Sequence, residues 1–154
     1  MVIVLVGVML AIGAPRFRQS LLTNSLNSVT RRIVALVHDA RDRSVHEQVA
    51  ILCHFDMTNG LVWCDPSPAS SAGNTPDRAR RYRLPADVRI QDIWSLDLGK
   101  RSLGEASILF SPKGYTEPAM IHLAARDGKQ VSLELAPFLG TVKIHDRYVE
   151  ARAN

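Results

Sequence analysis

The sequence predicts an α+β protein in which one long N-terminal helix packs on an antiparallel β-sheet. Three observations carry that expectation. An apolar opening segment runs directly into an amphipathic helical pattern. A series of short alternating strands divided by turn signals follows, and no later stretch repeats the helical period at comparable length. The totals agree: 154 residues give room for one domain with a real core plus an appendage. A hydrophobic share of 46% and a charged share of 22% are those of a folded chain, which argues against disorder. Nineteen Lys and Arg against fifteen Asp and Glu leave a net charge of +4. The chain is thus mildly basic, and without a run of basic residues it has no obvious nucleic-acid tail.

The opening segment, residues 1–14, is Met1, Val2, Ile3, Val4, Leu5, Val6, Gly7, Val8, Met9, Leu10, Ala11, Ile12, Gly13 and Ala14. As a helix it is about 21 Å long, shorter than a hydrocarbon core of roughly 30 Å. No basic residue precedes it, so it is not an intact signal peptide. Being apolar all round, it suits lipid or a bundle interior, with a buried core helix as the plainer alternative. Pro15 removes one backbone hydrogen bond, and a kink is expected there. Beyond it Phe17, Leu21, Leu22, Leu26, Val29, Ile33, Leu36, Val37 and Ala40 recur at steps of three and four. Arg, Asn and Asp fall between them, which marks one apolar face on a helix running to about Ser44. Residues 15–46 are therefore the amphipathic continuation of the helix, and residues 47–154 the sheet domain.

Val49 to Phe55 reads as a strand, Asn59-Gly60 as a turn, and Leu61 to Cys64 as the returning strand. A loop over Met57 to Gly60 sets Cys53 directly opposite Cys64, about 4.5–5.5 Å apart at Cα. That pair is either a disulfide, which needs an oxidising compartment, or two buried free thiols. Residues 65–77 (DPSPASSAGNTPD) hold three Pro, three Ser and one Gly, and read as an exposed loop. Arg78, Arg80, Arg81 and Arg83 follow as a basic patch with Tyr82 among them. It is either a site for an anion, a phosphate backbone or a lipid headgroup, or a charged edge strand that resists sheet-to-sheet association. The rest alternates in strands at Val88–Ile90, Ser107–Phe110, Met120–Leu123, Val131–Leu135 and Val142–His145, with turns at Ser111–Gly114 and Asp127-Gly128.

Chemistry is sparse. No Gly-x-Ser-x-Gly elbow, P-loop or H-E-x-x-H helix occurs. His38 lies on a solvated helical face, and His46 sits where the helix ends, a favourable place for positive charge. His54, His122 and His145 lie in strands but lack paired zinc-ligand spacing. Trp63 and Trp94 read as core or rim packing. No catalytic residue, metal or cofactor is expected.

The order of these features resembles type IV pilins and type II secretion pseudopilins. Their anchor helix opens, after a short leader, on a Phe-Thr-Leu-Ile-Glu-type start, continues through an apolar stretch with a Gly, and passes a Pro into an amphipathic half. Gly7 and Pro15 match that stretch at the family's spacing. The resemblance places Met1 roughly seven residues inside the mature helix, beyond the processing site. It thus implies either a start codon assigned too late or a chain that is not processed. More narrowly, the chain resembles the GspH/FimT group. Leu84-Pro85-Ala86-Asp87-Val88 answers a Leu-Pro-Ala/Gly-x-Val element, and Phe110-Ser111-Pro112-Lys113-Gly114 answers a Phe-x-Pro-x-Gly turn. Leu139-Gly140-Thr141-Val142 answers a Thr-Gly-Arg-Val pair, with Thr141 where the group often has Arg. The resemblance implies a minor pseudopilin rather than an enzyme, held in the inner membrane by residues 1–15 and carrying a periplasmic domain. It would bear a methylated N-terminal Phe, pack with other pseudopilins in a helical filament, and display loop 65–77 to neighbours or secreted cargo. The alternative it implies is a FimT-like minor type IV pilin that binds DNA for uptake through Lys143, Arg147 and Arg152.

Overall fold

A computed structural model describes residues 2–68, 81–138 and 141–151, with side chains from Ser25 onward. Helix α1 (Val2–Glu47) is followed by strands β1 (Ile51–Asp56), β2 (Leu61–Pro66), β3 (Tyr82–Arg83), β4 (Val88–Ser95) and β5 (Gly99–Arg101). Then come β6 (Glu105–Phe110), β7 (Ala119–Ala125), β8 (Gln130–Leu135) and β9 (Val142–His145). Every pairing is antiparallel, in two sheets ordered β3-β2-β1-β6 and β5-β4-β7-β8-β9. One helix packed on antiparallel sheets is the expected class; the division into two sheets was not foreseen.

Leu26, Val29, Ile33, Val37 and Ala40 are all buried, so the stripe read from the sequence is the face that α1 turns to the sheets. The helix touches strands of both. Its end lies three residues beyond Ser44, at Glu47. There Gln48 turns left-handed at φ 53°, and the Val49 N–H donates to the Ser44 carbonyl at 3.2 Å. A side chain rather than the usual glycine holds this cap, because Gln48 Nε2 also donates to the Val45 carbonyl at 2.6 Å.

The turn at Ser111–Gly114 docks on this last helical turn. Ser44, fully buried, has its hydroxyl 2.7 Å from the Arg41 carbonyl and 3.1 Å from that of Ser111. Arg41 Nε donates to the Gly114 carbonyl at 3.2 Å. Gly114 has φ +82°, and a Cβ there would stand 3.3 Å from Val45 Cγ2. Glycine is required by both the backbone conformation and the close approach of the helix.

Several boundaries move. Strand β1 starts at Ile51 rather than Val49, since residues 48 and 49 close the helix. Strand β2 runs to Pro66, and the Ser67 N–H donates to the Ala50 carbonyl at 2.7 Å. The expected loop 65–77 therefore begins later, and residues 69–80 lie outside the described residues. Strand β7 is buried at every position, which is why its sequence, AMIHLAA, barely alternates. Ile121 and Leu123 enter the main core, while His122 and its same-face neighbours point to the other side.

Strand β4 explains the largest departure. Its pairing with β7 slips at Gln91, so Ile90 faces Leu123 and Asp92 faces His122. The extra residue is a β-bulge, which reverses the alternation. Ile90 and Ile93 both reach the core, and Asp92 joins the outer face with His122. The bulged Gln91 is held by Gln130, whose Nε2 donates to its Oε1 at 2.9 Å.

Candidate functional site

Val2 to Pro15 belong to α1, and their side chains lie outside the described residues, as does Met1 altogether. Among the described residues no helix is long and apolar enough to cross a membrane.

In the β1–β2 hairpin, Cys53 and Cys64 are register partners joined as a disulfide, with Cα atoms 4.0 Å apart. Cys53 is fully buried. Beside it the turn is closed by Asp56, which accepts from the backbone of Thr58 and Asn59 and from the Asn59 side chain. That last bond above all holds its carboxyl below the usual aspartate range.

The expected basic residues fall in separate places. Arg78, Arg80 and Arg152 lie outside the described residues. Arg81 and Arg83 flank Tyr82 at β3, the edge of the first sheet. Lys143 is exposed on β9, the edge of the second sheet, and Arg147 follows that strand. One residue missing from the sequence expectation joins the first group: Arg32, on α1, lies 5.8 Å from the Tyr82 ring centroid. Arg81 lies 4.5 Å over the Trp63 ring, which also stacks with His54 at 5.1 Å. Helical periodicity put Arg32 on the polar side of α1, but only the tertiary fold brings β3 alongside it. Burial raises the Tyr82 hydroxyl above its ordinary value, with the Arg32 charge acting the other way.

The three strand histidines do not converge, and each faces its own carboxylate. His54 Nδ1 is 2.7 Å from Glu105 Oε1, and His145 Nε2 is 2.9 Å from Glu134 Oε2. His122 Nδ1 is 2.6 Å from Asp92 Oδ1, with both side chains buried. Among the described residues no three His, Cys, Asp or Glu side chains are grouped to hold a metal.

Asp92, His122 and Ser132 stand abreast on β4, β7 and β8, three residue types that elsewhere form a nucleophilic triad. Their hydrogen bonds serve another purpose. His122 Nε2 lies 2.8 Å from the Val149 carbonyl, which can only accept, so this nitrogen donates. The Ser132 hydroxyl donates to the Arg147 carbonyl at 2.8 Å and accepts from the Val149 N–H at 3.1 Å. No lone pair of the imidazole faces the serine. Tyr148 stacks on His122 at 4.1 Å, and Lys100 Nζ donates to its hydroxyl at 2.7 Å. That bond, helped by the Asp92 charge, raises the Lys100 value. Together these groups clasp the segment after β9 across the outer face of the second sheet. The bulge hid this cluster from sequence reasoning, since strict alternation puts Asp92 on the core side with Ile90.

Glu117 bridges the two sheets. The backbone N–H groups of Leu109 on β6 and of Asp97 after β4 both bond its carboxylate, yet Oε2 is buried without a partner among the described residues. Burial, reinforced by the nearby Asp97 charge, raises its value, and the two backbone bonds offset only part of that.

No protein-family model and no curated protein sequence matches the chain. Solved structures do. Two structures of the minor pseudopilin EpsH from the type 2 secretion system of Vibrio cholerae superpose with TM-scores of 0.58 and 0.62, at 8% and 6% identity. They cover 79% and 83% of this chain and 97% and 98% of the solved EpsH chains. The type IV minor pilin FimU of Pseudomonas aeruginosa superposes with a TM-score of 0.56 at 14% identity, over 80% of this chain and 90% of that one. The chain has the pilin-like fold of these minor subunits.

Proposed function

We propose that this chain is a minor pseudopilin, a structural subunit that the apolar start of α1 anchors in an inner membrane. The observation that carries the reading is the likeness in fold to EpsH, which covers 79% and 83% of this chain and 97% and 98% of the two solved EpsH chains. Two features support it further. Residues 1–14 carry no charge and continue in register into a helix whose later half packs on the domain. The Cys53–Cys64 disulfide fits a domain on the oxidising side of the membrane. In assembly the apolar halves of neighbouring helices pack together, and the head-to-tail contact repeats without closing, which generates a filament. Nothing in the clasp around His122 asks for a substrate. Its hydrogen bonds hold protein to protein.

Fractionation of the native host tests this reading. The chain is expected in the inner membrane, resistant to a high-salt wash, and cross-linked to other helix-anchored subunits of its own fold. A chain that washes off with salt and cross-links to none of them overturns it.

A further inference from the structure

Both sheets run along α1 with their ends aligned to its ends. Ser111 bonds Ser44 near the C-terminus of the helix. Tyr82, in one cross-strand row with Val62, Phe55 and Ala106, meets Arg32, about 18 Å nearer the N-terminus. In the second sheet Glu117 stands beside Leu109, which sets the row of Ser95, Ala119 and Leu135 toward the helix C-terminus. The β7–β8 turn therefore lies toward the N-terminus, with the β1–β2 turn.

The turns at that N-terminal end are tied to one another through the backbone. The Met57 N–H donates to the Gly104 carbonyl at 2.9 Å, the Leu84 N–H to that of Gly60 at 2.8 Å, and the Arg126 N–H to that of Asp87 at 2.9 Å. Leu103, next to Gly104, is 79% exposed there. We infer that this end of the domain docks on the anionic lipid headgroups of the membrane that α1 enters, with Leu103 reaching into the layer. This rests on the anchored reading above, because the anchor is what turns this end toward the lipid.

Charge complementarity argues for the surface. Arg83, Arg89 and Arg126 stand exposed on this end, and Arg31 and Arg32 on the adjoining helix. Among the described residues none of the five pairs with a carboxylate. Of the acids nearby, Glu105 faces His54 and Asp127 faces Lys129, which leaves Asp56 and Asp87 to oppose them. A lipid plane does not require these arginines to converge in a groove, only to stand at one end of the molecule. Exposed basic side chains around an apolar tip suit the boundary between headgroups and acyl chains.

The distance is short enough. Arg16 and Arg18 are the first charges after the apolar run and mark the headgroup level. Leu26 is already buried, so only about 12 Å of helix separates the packed domain from Arg18. A helix tilt of about 20° and a headgroup layer of about 5–7 Å narrow that gap, and the surface potential acts over about 8 Å.

The test reconstitutes the full chain, its disulfide intact, in vesicles of phosphatidylcholine alone or with roughly 30% phosphatidylglycerol. An environment-sensitive dye on Ala86→Cys, an exposed position on this end, reports docking by a blue shift. Flotation after a high-salt wash reports the anchor separately. The dye is expected to shift in the anionic vesicles only, and to lose most of the shift at high salt. Arg89→Glu combined with Arg126→Glu should abolish the shift, and Leu103→Ser should reduce it. Lys113→Glu, in the turn at the opposite end, should leave it unchanged. Asp87→Asn should enlarge it in anionic vesicles alone, a change that misfolding would not confine to one lipid. A chain that floats with both vesicles while its dye stays in water overturns the docking and leaves the anchor standing. An equal shift in neutral vesicles, or in the charge-reversed variant, overturns the docking too. A chain that floats with neither overturns the anchored reading, and the docking with it.

Discussion

Glu117 and His122 show how much a single side chain can hold in a domain of this size. The raised value of Glu117 means that folding favours its protonated form. The stability it lends is complete below its ordinary value of 4.5 and is lost as pH rises through its value in the folded state. Glu117→Gln keeps an acceptor for the Leu109 and Asp97 N–H groups but removes the charge. Its melting temperature is expected to exceed that of the parent at pH 7 and to change less with pH across the acid range. A parallel pH profile would refute this. For His122, removal of the ring takes the short bond from the buried Asp92 carboxylate and leaves it only Tyr148 at 3.5 Å and Lys100 at 3.9 Å. His122→Ala should cost roughly 3–5 kcal/mol in urea unfolding. The double change with Asp92→Ala should cost less than the sum of the two singles, since the bond the two side chains share is lost only once.

At the scale of elements, two devices fix how strands and helix meet. The disulfide closes a hairpin with a sequence separation of 11 residues. Replacing both cysteines by Ala should lower stability by about 3 kcal/mol, the loop-closure value for a ring of this size. Calorimetry of the oxidised, reduced and double-Ala forms measures it. The Ser111–Gly114 turn is the other device. Gly114→Val strains a left-handed backbone and crowds Val45, so a loss of about 1–3 kcal/mol is expected. Gly99→Asn, at φ +65° with open space around it, should cost far less. Elements whose sequence follows one period, or carries a plain turn signal, were legible: the α1 stripe from Leu26 to Ala40, the β1–β2 hairpin, and β8 with β9. Illegible were those set by partners distant in the chain. The bulge at Gln91 has no local signature and reverses the facing of Asp92. Strand β5, three residues long, is defined only by its pairing with β4. Arg32 gains its meaning from β3, fifty residues away in the chain.

Across the whole molecule, the two faces of the second sheet are covered by the two ends of the chain. Helix α1 covers one and the segment after β9 the other, which leaves β7 buried throughout. Truncation after His145 should strip the outer cover and expose Met120 and the His122 pair. The shortened chain is expected to melt at lower temperature and to bind an apolar dye that the parent excludes. A truncated form with the parent's melting curve would show that the clasp adds nothing to the fold.

The fastening of α1 also sets how the molecule carries load. The packed stripe from Leu26 to Ser44 lies along the helix axis, and the bonds of Arg41 and Ser44 to the Ser111–Gly114 turn sit at its far end. A pull on the N-terminus therefore shears the whole interface at once rather than peeling it contact by contact. The tension reaches the sheets spread over about 27 Å of helix, with hydrogen bonds of Arg41 and Ser44 to the Ser111–Gly114 turn at the end farthest from the pull.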